Sequence, residues 1–183
     1  MLYFVSTRSY ATTLSTIYRG RFEDGAVADV ELVAGVSPMR AGMVNFDAEI
    51  SADGYVLYFV DGQFAGGGVP ETADLVIADR DGTGFVRRPD GATLLAAVNT
   101  PALEYAPCIS ASGRELFFTR VEAGADPAIY VATRAQATEP FGPPRRVVAA
   151  TGFVEAPALS ADGHSLYYHK LEDGRFVLYR VTR

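Results

Sequence analysis

Phe46 to Phe59 reads Phe-Asp-Ala-Glu-Ile-Ser-Ala-Asp-Gly-Tyr-Val-Leu-Tyr-Phe, and the chain says nearly the same thing twice more. Tyr105 to Phe118 reads Tyr-Ala-Pro-Cys-Ile-Ser-Ala-Ser-Gly-Arg-Glu-Leu-Phe-Phe, and Glu155 to Tyr168 reads Glu-Ala-Pro-Ala-Leu-Ser-Ala-Asp-Gly-His-Ser-Leu-Tyr-Tyr. The shared serines Ser51, Ser110 and Ser160 stand 59 and 50 residues apart, a period at which self-similarity means stacked supersecondary units. Each copy is expected to be a strand, a tight turn and a second strand. The apolar residue before the serine (Ile50, Ile109, Leu159) ends the first strand, and the second opens on Leu57, Leu116 or Leu166. Gly54, Gly113 and Gly163 supply the residue that tolerates positive φ in the turn. Asp53, Ser112 and Asp162 have short side chains suited to accepting turn amides. The three serines are accordingly read as structural hydroxyls rather than nucleophiles.

This pattern resembles the TolB-type β-propeller repeat, a WD-repeat-like unit with the signature Pro-x-x-Ser-Pro-Asp-Gly followed by an apolar-aromatic strand. Pro107 and Pro157 match its first proline. Ala48 replaces that proline once, Ala52, Ala111 and Ala161 stand at the second, and Ser112 replaces the aspartate once. The resemblance covers essentially the whole chain. It implies an all-β fold, a partial β-propeller of about three and a half four-stranded antiparallel blades. The family includes envelope scaffolds, propeller domains of peptidases and stand-alone proteins, so the likeness informs fold far more than function.

Composition agrees with many short strands. Of 183 residues, 49% are hydrophobic, with ten Tyr, eleven Phe, 18 Gly and 10 Pro, which suits strands joined by tight turns within one domain. The net charge of −6 and the scattered arginines disfavour nucleic-acid binding, which needs a concentrated basic face. No apolar run approaches the roughly 18 residues of a transmembrane helix. Met1 to Ser6 lacks the basic leader and apolar centre of a signal peptide, so the chain reads as cytoplasmic as it stands, or as periplasmic or envelope protein if it begins inside a longer one. Cys108 is the single cysteine and is read as buried packing.

Leu2-Tyr3-Phe4 matches Leu57-Tyr58-Phe59 and its counterparts, so the chain is expected to open on the second strand of a unit. Four units follow, approximately 1–44, 45–103, 104–152 and 153–183. In the first, strands are expected at Ser15–Phe22 and Val30–Val33. The second carries Phe46–Ser51, Val56–Val60, Ala73–Ala78 and Thr93–Val98, with loops at Gln63–Thr72 and Asp79–Gly84. Later strands of the third are Pro127–Ala132 and Arg145–Ala149. The fourth ends on Phe176–Val181, whose nearly continuous apolar character reads as a strand packed on both faces. Its outer strand is missing. Chains with such ends are expected to form an open arc, completed by a missing segment or by a homodimer pairing blade edges.

Few constellations here can carry chemistry. His164 and His169 should point to opposite faces of a strand and are read as turn and strand-end residues. Asp79-x-Asp81-Gly82 is a weak calcium-loop candidate without the closing acidic residue, or simply a polar turn. Gly66-Gly67-Gly68 lacks the lysine of a phosphate cradle. Asp47, Glu104 and Glu155 lie at similar places before the first strands of successive units, and in a propeller that position approaches the central channel. They form either a carboxylate ring for a cation or basic peptide, or separate turn caps and arginine partners. The expected function is a non-catalytic scaffold binding a protein or other ligand, with no cofactor. The alternatives are the propeller domain of a larger hydrolase or peptidase, and a lyase or glycosidase with its site in the channel.

Overall fold

The repeated Ser-Ala-Asp-Gly turn closes in the same way at all three sites. In the computed structural model, which describes residues 1–183, Gly54 N–H donates to the Ser51 carbonyl at 2.8 Å while Val56 N–H donates to Ser51 Oγ, also at 2.8 Å. Asp53 Oδ1 accepts from Ser51 Oγ and from Tyr55 N–H. Ser160 and Asp162 repeat these bonds with Gly163, His164 and Ser165, and Ser110 bonds Glu115 N–H and the Ser112 hydroxyl. The serines thus spend their hydroxyls on turn geometry. Gly54, Gly113 and Gly163 have φ of 77°, 69° and 73°. A β-branched residue is strained there whatever the space, so Gly163→Val should cost roughly 1–3 kcal/mol, read as a lower Tm by calorimetry. Gly67, exposed in the loop before Thr72 and without positive φ, should accept the same change with little loss.

These turns join strands into four antiparallel units. The first holds β1 (Leu2–Val5), the helical turn α1 (Tyr10–Thr13), β2 (Ile17–Glu23) and β3 (Ala26–Leu32). The second holds β4 (Met43–Ile50), β5 (Val56–Gln63), β6 (Thr72–Asp81) and β7 (Gly84–Arg87), followed by the helical turn α2 (Gly91–Leu94). The third is β8 (Leu103–Ile109), β9 (Glu115–Val121), β10 (Ala128–Thr133) and the two-residue β11 (Arg145–Arg146). The fourth is β12 (Val154–Leu159), β13 (Ser165–Glu172) and β14 (Arg175–Thr182). The first and fourth units are separate sheets, and the middle two touch through one parallel pairing, Ala73 with Leu103. No helix is long and apolar enough to cross a membrane.

Burial lies between units rather than within them. Ile17, Val36, Leu57 and Phe59 fill the first junction, Tyr58, Leu75, Ile109 and Phe118 the second, and Phe117, Ile129, Val154 and Leu166 the third. Strand side chains alternate between faces, so Leu57 and Phe59 look back to the first unit while Tyr58 and Val60 look forward to the third. The sheets do not close on one another.

Several expectations need correction. Thr93–Val98 is not a strand: Leu94, Leu95 and Val98 are buried in the second junction from a helical turn, a spacing that suits a helix face better than a strand. The fourth strand of that unit is β7, brought back by the tight turn at Asp81–Gly84. The outer strand of the third unit stops at Arg146, where a turn closed by Ala150 N–H on the Val147 carbonyl begins. Finally, β14 is not covered on both faces, and Phe176, Val177 and Leu178 are all exposed.

Candidate binding surfaces

Each inner strand of the last three units carries a bulge, and the bulge sets what its side chains can do. Asp47, Ala106 and Ala156 occupy it with φ of 51°, 50° and 54°, and the pairing register slips there in β4, β8 and β12. A left-handed residue turns its N–H out of the ladder. Ala106 N–H donates to Asp47 Oδ2 at 3.0 Å, and Ala156 N–H to Thr119 Oγ1 at 3.0 Å. Each hook ties an inner strand to the unit before it. Three residues on, Ile109 N–H meets Glu49 Oε1 at 3.4 Å and Leu159 N–H meets Cys108 Sγ at 3.1 Å.

Aligned by the bulge, the three candidate carboxylates are not equivalent. Asp47 is the bulge residue, Glu155 precedes it by one position and Glu104 by two. Glu104 is 0% exposed and does not face a channel. Its oxygens accept from Arg120 Nε at 2.7 Å, Thr100 Oγ1 at 2.6 Å and Thr100 N–H at 3.1 Å. Burial pushes its carboxyl above the usual range, and the Thr100 and Arg120 donors pull it back. Glu104 is an arginine partner.

Asp47 and Glu155 bond adjacent residues of the third unit, Ala106 and Tyr105. Both are half-buried, Tyr105 donates its hydroxyl to Glu155 Oε2 at 2.8 Å, and the Glu155 charge acts on Asp47. Burial, with a smaller push from Glu155, raises the Asp47 carboxyl, which the Ala106 amide only partly offsets. Glu49 beside it is raised by burial too, against the Ile109 amide and the Cys108 thiol. None of Asp47, Glu49 and Glu155 forms an ion pair. The Cys108 thiol is pushed up to about 12, first by burial and then by Glu49, which keeps it protonated and inert as packing.

Of the other candidates, Asp79 and His169 have partners, and Asp81 and His164 lie in turns. Arg88 Nε lies 2.9 Å from Asp79 Oδ2, and Asp81 sits at the β6–β7 hairpin end with Gly82 at φ 55°. His164 lies in the turn after Asp162, and His169 tilts against Phe176 with ring centroids 6.1 Å apart.

An arginine at the end of the third strand in each of the last three units went unread in the sequence. Arg80 Nε donates to the Gly54 carbonyl at 2.7 Å and its Nη2 to Tyr3 Oη at 3.1 Å. Arg134 repeats this with the Gly113 carbonyl at 2.7 Å and Tyr58 Oη at 2.9 Å. Each arginine clamps its own repeat turn to the tyrosine of the preceding unit. Tyr3 therefore stands where Tyr58 does, so β1 is a second strand, as Leu2-Tyr3-Phe4 predicted. In the fourth unit Arg183 holds the Gly163 carbonyl at 2.8 Å, but the preceding unit offers Phe117, and the guanidinium turns to Glu115 with two contacts of 2.6 Å. The signal was Ala-Asp-Arg80, Ala-Thr-Arg134 and Val-Thr-Arg183, masked by unequal hairpin lengths.

Comparison with solved structures settles the fold. A TolB-type protein from Agrobacterium tumefaciens superposes on 91% of this chain and 50% of its own, with a TM-score of 0.55 at 17% identity. TolB from Acinetobacter baumannii matches 91% of this chain and 34% of its own, with a TM-score of 0.52 at 16% identity. The fold is that of a TolB-like β-propeller. The chain spans half or less of the length of these structures, and no family model and no curated protein matches it.

In propeller terms, the bulges and their carboxylates lie on the inner strands, and the clamp arginines lie on the rim that carries the repeat turns. Two clefts open between units on that rim. One of about 450 Å³ lies over Tyr58 and Arg134. The other, of about 460 Å³, lies over Phe117, Leu159, Leu166 and Val181 beside Arg145 and Arg183, and is more apolar because Phe117 has no hydroxyl to bring the arginine inward.

Proposed function

We propose that this chain is an open propeller arc of about three and a half blades that works as a non-catalytic scaffold and binds a basic polypeptide segment along its inner strands. The observation that carries this reading is the set of half-buried carboxylates on those strands, Asp47, Glu49 and Glu155, which meet N–H, O–H and S–H donors but no cationic side chain. Partly desolvated carboxylates without a counter-charge favour an incoming lysine or arginine more than exposed ones do.

Such a site has a cost in the free protein. The Asp47 carboxyl is raised in the folded state, so its ionisation opposes folding, and stability is lost as pH climbs from the unfolded value through the folded one. Asparagine keeps an acceptor for Ala106 N–H and tolerates the left-handed backbone. Asp47→Asn is therefore expected to raise stability at pH 7 by about 0.5–2 kcal/mol, and to change it little at a pH below both values. Binding has the opposite sign: a bound cation favours the carboxylate, so affinity should rise with pH through that range.

The test is fluorescence anisotropy with a labelled peptide rich in lysine and arginine at physiological salt. Asp47→Asn with Glu155→Gln should weaken binding by roughly tenfold or more, whereas Asp24→Asn with Asp173→Asn, which removes the same charge from exposed hairpin turns, should change it little. Equal losses from both pairs would reduce the interaction to net charge and refute an inner-strand site.

A further inference from the structure

The clefts of about 450 Å³ and 460 Å³ on the turn rim can be compared residue by residue, because the repeat builds both. Strand register pairs Tyr58 with Ile77 and Phe117 with Val131, so Phe117 is the counterpart of Tyr58. The same register makes Arg88, whose N–H donates to the Ile77 carbonyl, the counterpart of Arg145, which pairs with Val131. Asp79 and Thr133 correspond as the residues before the clamp arginines. Over Tyr58, both cations of the cleft are engaged: the Tyr58 hydroxyl accepts from Arg134, and Asp79 holds Arg88 at 2.9 Å. Over Phe117, neither device is present. Arg183 turns away to Glu115, and Thr133 sets no carboxylate beside Arg145, which forms no ion pair.

What remains is an apolar floor of Phe117, Leu159, Leu166 and Val181 with a guanidinium free of counter-charge at its mouth. Arg114, Arg145 and Arg183 all act there on a single carboxylate, Glu115, so the mouth is positive although the chain carries a net charge of −6. We propose that this cleft binds a single-chain aliphatic carboxylate, with its alkyl chain on the four apolar residues and its carboxylate on Arg145. The volume falls in the lower part of the range of small-molecule sites, about 300–1,000 Å³, and suits one alkyl chain. A carboxylate meets the planar guanidinium through two parallel hydrogen bonds, while each buried methylene adds affinity. An aliphatic cation would find the same floor and be repelled at the mouth. The inference does not depend on the inner-strand carboxylates, none of which lines this cleft.

The test is calorimetric titration of the chain with decanoate below its micelle concentration. Saturable binding of one decanoate per chain is expected, with octanoate weaker by about fivefold or more and decyltrimethylammonium, which presents the same chain with the opposite charge, weaker by about tenfold or more. Arg145→Gln removes the guanidinium, and Thr133→Asp gives Arg145 the internal partner that Arg88 has in Asp79. Both positions are exposed, so each change should weaken decanoate binding by about tenfold and leave Tm unchanged. Phe117→Tyr should draw Arg183 inward over the floor, as Tyr58 draws Arg134, and weaken binding by a similar factor without lowering Tm. Leu178→Asn, on the exposed face of β14, should change nothing. Absence of saturable binding, full affinity in both Arg145→Gln and Thr133→Asp, or an equal loss from Leu178→Asn would overturn the proposal. So would tighter binding of a short peptide ending in leucine than of decanoate, because the occupant would then be a polypeptide.

Discussion

Glu104→Ala is expected to destabilise the protein by about 3–5 kcal/mol, close to the loss of the fold for a domain of ordinary stability. The substitution leaves the Arg120 guanidinium, whose side chain is 10% exposed, without its carboxylate. That group stacks 4.9 Å from the Tyr130 ring and 5.5 Å from that of Phe118, and its Nη2 donates to the Val98 carbonyl at 2.8 Å, so it cannot swing to water without breaking the junction between the second and third units. Thr100 also loses the two oxygens that accept its hydroxyl (Oε1) and its amide (Oε2). Glu104→Gln keeps acceptor capacity but not the charge and should fall between the two. Urea unfolding with an unchanged m-value checks both.

Arg134→Ala should cost a similar amount, about 3–5 kcal/mol. Arg134 is 9% exposed, and its removal strands the Gly113 carbonyl and the Tyr58 hydroxyl, both of which it reaches as a charged donor. It also lifts a guanidinium lying 4.1 Å from the Phe141 ring centroid, where desolvation strengthens the cation–π contact. The matching change at Arg183, whose side chain is 52% exposed, should cost about 1 kcal/mol or less because its ion pair with Glu115 is screened. A large loss at Arg134 with a small one at Arg183, measured on the same urea scale, identifies the clamp as an element of the junction between units rather than a surface pair.

The turns were legible because their chemistry is local. A serine, a short acceptor and a glycine within four residues define the hydrogen bonds whatever lies nearby, and all three copies formed. The second strands and the opening on Leu2-Tyr3-Phe4 followed from the same repeat, and the first and last sheets are three-stranded. What the sequence concealed was register. The bulge at Asp47, Ala106 and Ala156 shifts the ladder within β4, β8 and β12, and a slip of one residue in a strand exchanges its faces. Glu104 stands six residues before its repeat serine and Glu155 five, so although both lie on inner strands they take opposite faces, Glu104 in a buried ion pair with Arg120 and Glu155 bonded to Tyr105 without a counter-charge. The arginine clamp was hidden for a related reason, since its two ends belong to different units and the hairpins between vary in length. Leu94, Leu95 and Val98 read as strand because apolar residues next to a fully occupied sheet look the same as those within it. Phe176 to Val181 was read as covered because its composition suits a junction, and composition does not say whether the neighbour is present.

The account rests on an open arc whose junctions are buried at three places and free at the fourth. Residue-resolved amide exchange on the monomeric chain tests this most directly, by comparing the equivalent third strands β6, β10 and β14. The account predicts slow exchange throughout Leu75 to Ala78 and Ile129 to Ala132, and fast exchange at alternate amides of Val177 to Val181, where the edge of β14 has no partner strand. Protection in β14 equal to that in β10, in a particle confirmed as a 19.6 kDa monomer, would mean that the arc closes on itself, and would contradict the open architecture.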